Sequence, residues 1–169
     1  MRKINILMKK NIYKNGSGLV EILVAVFVFS IIVGSLITAS SLYLVGAKDN
    51  LISTKGAYLA EEGIEAVKTI RDSGWSNISS LSDDSIYYLY FDISSSTNNV
   101  WRATTTPKTI DSIYTRTFKV NSVYRDSSGR IQTSGAFDIN TEKLTVLIFW
   151  QSKGNITTKN LVTYIANIL

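Results

Sequence analysis

An uncharged apolar stretch of 26 residues, from Ile22 to Ala47, limits how this chain can fold more than any other feature. As an α-helix, it rises by ~1.5 Å per residue, which is enough to cross a hydrocarbon core of about 30 Å. A cleaved secretory signal has an apolar region of only roughly 7 to 15 residues, so this stretch is too long for that class. The sequence therefore predicts a transmembrane helix.

Basic residues precede this stretch and set its expected orientation. The chain has 18 Lys and Arg against 13 Asp and Glu, and five of the cations lie before Gly16. No acidic residue precedes Glu21, so 13 charges of each sign are left after residue 16. The five cations are Arg2, Lys3, Lys9, Lys10 and Lys14. The positive-inside rule places the amino terminus in the cytoplasm and everything after residue 47 outside.

The residue types that the chain lacks exclude much chemistry. It has no Cys and no His, which removes thiol nucleophiles, disulfides, the usual zinc sites and His-based triads. The pair Asp83-Asp84 and the scattered Lys residues form no catalytic motif. We expect no enzyme activity, no cofactor and no specific nucleic-acid partner. A local basic patch stays open as an alternative, made of Arg102, Arg116, Arg125 and Arg130.

One carboxylate, Glu21, lies directly before the apolar stretch. A carboxylate placed centrally in a bilayer costs on the order of 2 to 3 kcal/mol, so its position needs an explanation. It could rest at the headgroup boundary without a role. The residues before it, however, read Lys14-Asn15-Gly16-Ser17-Gly18-Leu19-Val20-Glu21. This run, with basic residues upstream and an apolar helix downstream, resembles the class III leader of type IV pilins and pseudopilins.

The resemblance implies a processing site and an assembly contact. In that family a membrane aspartyl peptidase, the prepilin peptidase, cuts after a Gly, and the fifth residue of the mature chain is Glu. The implied cut lies between Gly16 and Ser17. The family usually begins its mature chain with Phe or Met and methylates that amine, whereas this chain would begin with Ser17. Glu21 of one subunit would pair with the Ser17 amine of a neighbour, and a misaligned subunit would leave a buried charge unpaired at roughly 3 to 5 kcal/mol.

Beyond Ala47 the pattern becomes that of an amphipathic helix. Small and apolar residues recur every three or four positions, the spacing of one helical face. They are Ile52, Gly56, Leu59, Gly63, Val67 and Ile70. The helix is predicted from about Gly18 to Asp72, with Gly74 as its stop. Three carboxylates, Glu61, Glu62 and Glu65, are interpreted as a solvated face. The segment 58–75 also resembles the end of the long helix in minor pilins.

The remainder of the chain is rich in β-branched residues, Tyr and turn clusters, which predicts strands. The predicted strands are Ile86–Phe91, Val100–Ala103, Ile113–Arg125, Glu142–Gln151 and Ile156–Ala166. One side of the third strand carries Tyr114, Phe118, Val120 and Tyr124, and Arg116 interrupts it. One side of the fourth carries Leu144, Val146, Ile148 and Trp150. An antiparallel sheet with one apolar face would cover the outer half of the helix.

Two local features resemble binding sites. The run Asp138-Ile139-Asn140-Thr141-Glu142 alternates oxygen ligands, and some pseudopilins bind Ca²⁺ in a carboxy-terminal loop, but a plain turn is the favoured interpretation. Trp75, Trp101 and the nine Tyr could form a surface for a sugar or a partner, although core packing is favoured. No ligand or metal is assigned to either feature.

The sequence thus predicts an α+β chain with a long amino-terminal helix packed on an antiparallel sheet. Its regions are a leader (1–16), a transmembrane and assembly helix (17–47), an amphipathic outer half (48–74) and a β-rich head (75–169). The expected function is a structural subunit, of the minor type, in a type IV pilus or pseudopilus. Its expected partners are other pilin subunits, the prepilin peptidase and, before assembly, membrane lipid. The alternative is a permanently anchored surface or sensor protein whose head faces outward.

The expected location follows from the same reasoning. The precursor would lie in the cytoplasmic membrane, and the assembled subunit in a surface pilus or a periplasmic pseudopilus. The assembly itself is left open between a pilus and a secretion or DNA-uptake machine.

Overall fold

The computed structural model describes residues 17–93, 99–152 and 154–168, with side chains from residue 18 onward. The predicted α+β fold is confirmed: a long helix precedes an antiparallel sheet. The elements are α1 (Ser17–Asp72), α2 (Ser76–Ser79), β1 (Tyr87–Asp92), β2 (Val100–Thr104), β3 (Thr109–Ile110), β4 (Tyr114–Arg125), β5 (Ile131–Gln132), β6 (Ala136–Ser152) and β7 (Asn155–Ala166). The predicted leader, 1–16, lies outside the described residues.

Helix α1 ends where the sequence predicts its stop. The amide of Gly74 donates to the carbonyl of Arg71 at 2.9 Å, and the amide of Ser73 donates to the carbonyl of Thr69 at 3.2 Å. Gly74 has φ +149°, a conformation that residues with a Cβ rarely adopt. Arg71 in the last turn places a positive charge beside the partly negative helix end. The chain can therefore leave the helix here and turn into α2.

The sheet has seven strands in the described residues, and every pairing is antiparallel. Its main order is β2-β1-β4-β6-β7, while the two short strands β3 and β5 pair with β4. The two longest neighbours, β4 and β6, pair along their length, with Tyr114 opposite Trp150 and Val120 opposite Leu144. The inward side chains of these two strands pack against the outer half of α1.

The chain divides after Lys48 into two compact units. Unit 1 holds the amino-terminal part of α1, and unit 2, Asp49–Leu169, holds the rest of α1 together with α2 and the sheet. The core of unit 2 consists of one cluster around Val67 and Phe118 and a second around Leu59 and Trp150. Of the six predicted face positions of the outer helix, five are buried and Ile52 is half-buried.

One predicted inward residue is wrong. Tyr124 is 37% exposed, whereas its neighbour Val123 is 3% exposed and lies in the core. The register of β4 against β6 shifts between Ser122 and Val123. A bulge of this kind reverses the alternation, so each later residue points to the opposite side from the one that simple period-two spacing predicts.

Candidate functional site

The apolar part of α1 in unit 1 presents its side chains to the surroundings on all sides. Among them, Val20 is 58% exposed and Ile22 is 66% exposed, and Glu21 lies exposed between them. The helix is long and apolar enough to cross a membrane, and none of its most apolar window is buried. Ser17 begins α1, so Glu21 follows it by about one helical turn. Gly16, the other residue of the predicted cleavage site, lies outside the described residues.

Four of the hydroxyl side chains within this stretch form hydrogen bonds inside their own helix. Four hydroxyls donate to the carbonyl four residues earlier, at 2.7 to 3.0 Å. They belong to Ser30, Ser35, Thr38 and Ser41. Because each hydroxyl is satisfied inside its own helix, none needs water or a partner residue. The surface of unit 1 is therefore suited to lipid or to the apolar surface of other helices.

The outer half of α1 approaches the sheet through two glycines. A Cβ at Gly56 would lie 2.7 Å from Cζ3 of Trp150, and one at Gly63 would lie 2.8 Å from Cγ1 of Val146. Real Cβ atoms do not approach other heavy atoms this closely. The two glycines therefore let the helix backbone contact the inward side chains of β6 directly.

Polar side chains of β4 hold the same stretch of helix. The hydroxyl of Tyr114 donates to the carbonyl of Ile52 at 3.0 Å. Arg116 is 3% exposed, and its Nη1 donates to the carbonyl of Leu59 and pairs with the Glu62 carboxylate, both at 3.1 Å. These bonds reach helix positions 52 and 59 from alternate residues of one strand, and they fix the position of the outer half of α1 along the sheet.

Arg116 is the residue whose role the sequence pattern missed. Burial lowers the pKa of its guanidinium, and the neighbouring Glu62 opposes that shift. The guanidinium also stacks 5.0 Å from the centre of the Trp101 ring. The alternation of β4 places Arg116 on its inner side, and Glu62 lies on the helix that packs against that side. The opposite charges of Arg116 and Glu62 are the sequence signal that indicates their ion pair.

Three of the four arginines of the basic patch that the sequence leaves open are buried or paired. Arg116 is buried, Arg102 pairs with Asp92 at 2.7 Å, and Arg125 pairs with Asp138 at 2.6 Å. The predicted solvated helix face, in contrast, is exposed at all three carboxylates, Glu61, Glu62 and Glu65.

The run Asp138 to Glu142 belongs to β6 and is not a turn, so the favoured interpretation of a plain turn is wrong. Asp138 accepts from Arg125, and this hydrogen bond, followed by one from Thr141, lowers the pKa of the Asp138 carboxyl. Within residues 17–93, 99–152 and 154–168, no three His, Cys, Asp or Glu side chains are grouped to hold a metal ion.

Glu142 carries a buried carboxyl whose burial the sequence analysis does not predict. Its side chain is 6% exposed, and its Oε2 has no hydrogen-bond partner among the described residues. Burial, followed by the nearby carboxylates of Asp83 and Asp138, raises its pKa to about 7. It precedes Leu144 and Val146 in the alternating inward set of β6, and that spacing was sufficient to place it inside.

The two tryptophans of the suggested binding surface are half-buried and pack against the core. The indole of Trp75 donates to the carbonyl of Ile139 at 3.1 Å, and Trp101 meets Phe91 edge to face at 5.2 Å. Trp101 also lines an open cleft of about 450 Å³, together with Ile70 and Asn77. Most of the surface of both indoles serves packing.

No family model, curated protein or solved structure matches this chain. Its function is therefore inferred from its own residues and their arrangement.

Proposed function

We propose that this chain is a structural subunit, of the minor type, in a type IV pilus or a secretion pseudopilus. It is made as a precursor in the cytoplasmic membrane, with its amino terminus inside and its sheet outside. The prepilin peptidase cuts between Gly16 and Ser17, and the trimmed helix then leaves the lipid to pack among the helices of other subunits. The chain has no catalytic activity of its own.

The observation that carries the proposal is the unpaired apolar surface of unit 1, with Glu21 at its start. Unit 2 supplies its part of α1 with a partner, because the sheet buries Gly56, Leu59 and Val67. The most apolar window of α1, in contrast, is fully unburied. A surface of this kind requires lipid or the helices of other subunits. In the proposed function, lipid covers it in the precursor and other helices cover it in the filament.

Glu21 supports assembly over permanent anchoring. An anchor requires about 20 apolar residues and gains nothing from a carboxylate at its edge. In a helix bundle, the same carboxylate can pair with the α-amine that cleavage creates at Ser17 of a neighbour. Such a pair adds little net affinity relative to an apolar contact, but a misaligned subunit leaves a charge unpaired. Glu21 therefore sets the axial register between helices.

Processing is tested by expressing the precursor with and without a prepilin peptidase and measuring its intact mass and amino-terminal sequence. We expect a chain that begins at Ser17 only when the peptidase is present. Gly16→Val should stay uncut, because a branched side chain then precedes the scissile bond. Gly18→Val is the matched control and should be cut. An unmodified chain that keeps Met1 to Gly16 would contradict the proposal and favour the anchored surface protein.

Assembly is tested with Glu21→Ala in cells that make filaments. The variant should insert and be cleaved normally, but its incorporation into sheared filaments should fall at least tenfold, equivalent to about 1.4 kcal/mol or more. Glu61→Ala removes an exposed carboxylate of the same helix and serves as the control. Normal incorporation of Glu21→Ala would refute the register role.

A further inference from the structure

Two turns at one end of the sheet carry exposed isoleucines. The turn between β3 and β4 closes with the amide of Ile113 donating to the carbonyl of Ile110 at 3.1 Å, and Ile113 is 49% exposed. Ile156 follows the turn between β6 and β7 and is 74% exposed. Tyr114 lies opposite Trp150, and Gln151 lies opposite Ile156. The two turns therefore lie at the same end.

A shallow depression of about 320 Å³ connects the two isoleucines. Phe149 lies between them and is half-buried, and Thr115 is its partner on β4. Phe149 points to the side of β6 opposite Ile148 and Trp150, which pack on the helix. We name Ile113, Phe149 and Ile156 the apolar rim. It lies on the side of the sheet opposite the one that packs on the unit 2 part of α1.

The rim lies close, along the chain, to the apolar stretch of unit 1. Tyr114, the neighbour of Ile113, bonds to Ile52, and Ile52 follows Ala47 by five residues. Even a fully extended chain of five residues spans less than about 20 Å. Chain connectivity alone therefore keeps Ile52, the residue that Tyr114 contacts, within about 20 Å of Ala47.

We propose that the apolar rim rests in the headgroup region of the outer leaflet while the chain is a precursor. The inference depends on the membrane insertion in the proposed function, but not on filament assembly. Because the connection between the apolar stretch and the rim is short, the effective concentration of lipid at the rim is high. Exposed isoleucines beside an aromatic ring gain free energy by entering the boundary between headgroups and acyl chains. The rim then holds the head against the membrane, and extraction must release it as well as the helix.

Single-cysteine labelling tests this proposal, because the natural chain has no Cys. Ile113→Cys and Ile156→Cys are labelled with an environment-sensitive dye, and the full-length chain is reconstituted in phosphatidylcholine and phosphatidylglycerol vesicles. Lipids with a shallow spin label then quench any dye at the interface. Ile139→Cys is the matched control, since Ile139 is 66% exposed and lies near the opposite end of β6. Ile32→Cys with a deep spin label reports insertion of α1.

We expect the dyes at positions 113 and 156 to be quenched at least about twofold more than the dye at position 139. Equal quenching at 156 and 139, with position 32 quenched, would overturn the rim proposal and leave the proposed function intact. Absence of quenching at 32 would remove the membrane premise and overturn both. A blue shift at 156 that grows with protein concentration, without quenching by lipid, would assign the rim to a second copy of the chain and also overturn the lipid proposal.

Discussion

Replacing Glu142 with Gln tests whether a buried carboxyl makes the stability of unit 2 depend on pH. Folding raises the pKa of Glu142 from the ordinary 4.5 to about 7, because the carboxyl is buried near Asp83 and Asp138. Between these two pH values, the folded chain holds a proton that the unfolded chain has lost. The free energy of unfolding therefore falls as the pH rises through this window, and it stays low above it.

The size of the effect follows from the same shift. The interval from 4.5 to about 7, at ~1.4 kcal/mol per pH unit, corresponds to about 3 kcal/mol of stability lost by pH 8. Glu142→Gln keeps the shape of the side chain and cannot ionise. The contribution of this position to the pH dependence should therefore disappear in the variant. Any constant cost of burying the amide cancels when the same variant is compared at two pH values.

Urea unfolding of the full-length chain in detergent, at pH 4.5 and at pH 8, measures this difference. Tryptophan fluorescence is a suitable signal, because Trp75, Trp101 and Trp150 all lie in unit 2. The difference between wild type and Glu142→Gln should change by about 3 kcal/mol between the two pH values. Glu61→Gln, at an exposed position, should shift by less than about 0.5 kcal/mol. A Glu142→Gln difference that is the same at both pH values would show that the Glu142 carboxyl does not titrate between them.

Two further substitutions test the contact between α1 and the sheet, and both are measured by the same fluorescence-detected unfolding. Gly56→Ala should destabilise unit 2 by about 1 to 3 kcal/mol, because the added Cβ would clash with the Trp150 ring. Gly46→Ala is the control and should not destabilise it, because no atom lies within 4 Å of the added Cβ. Equal effects of the two substitutions would contradict the close packing. Glu62→Ala leaves Arg116 buried without its carboxylate and should cost about 3 kcal/mol, whereas Arg116→Met combined with Glu62→Ala should recover most of that loss. If the double variant is as unstable as Glu62→Ala, the buried charge is not the cause.

Periodicity predicted the long-range features of this fold well. A single period of three to four residues ran through the outer helix, and Ile70 marked its last buried position before the stop at Asp72. In β6, strict alternation from Leu144 to Trp150 identified the inward side. Both patterns extend over many residues, so a local irregularity does not conceal them.

The errors arose where a single residue decides the outcome. One bulge after Ser122 turned Tyr124 outward, and no residue type marks that position in the sequence. The polar run from Asp138 to Glu142 has the composition of a turn, but its two end residues pair with β4, and Thr141 and Glu142 pair with β7. At the candidate site, the spacing from Ser17 to Glu21 is a property of the sequence, and the helix adds that the two residues lie one turn apart.

If the proposed function is correct, the trimmed helix of this chain assembles with the helices of other subunits. The most direct test is intact-mass spectrometry of filaments sheared from cells that express the chain at its natural level. We expect the filament fraction to contain a chain that begins at Ser17. A chain found only in the membrane fraction, and still carrying residues 1–16, would contradict it.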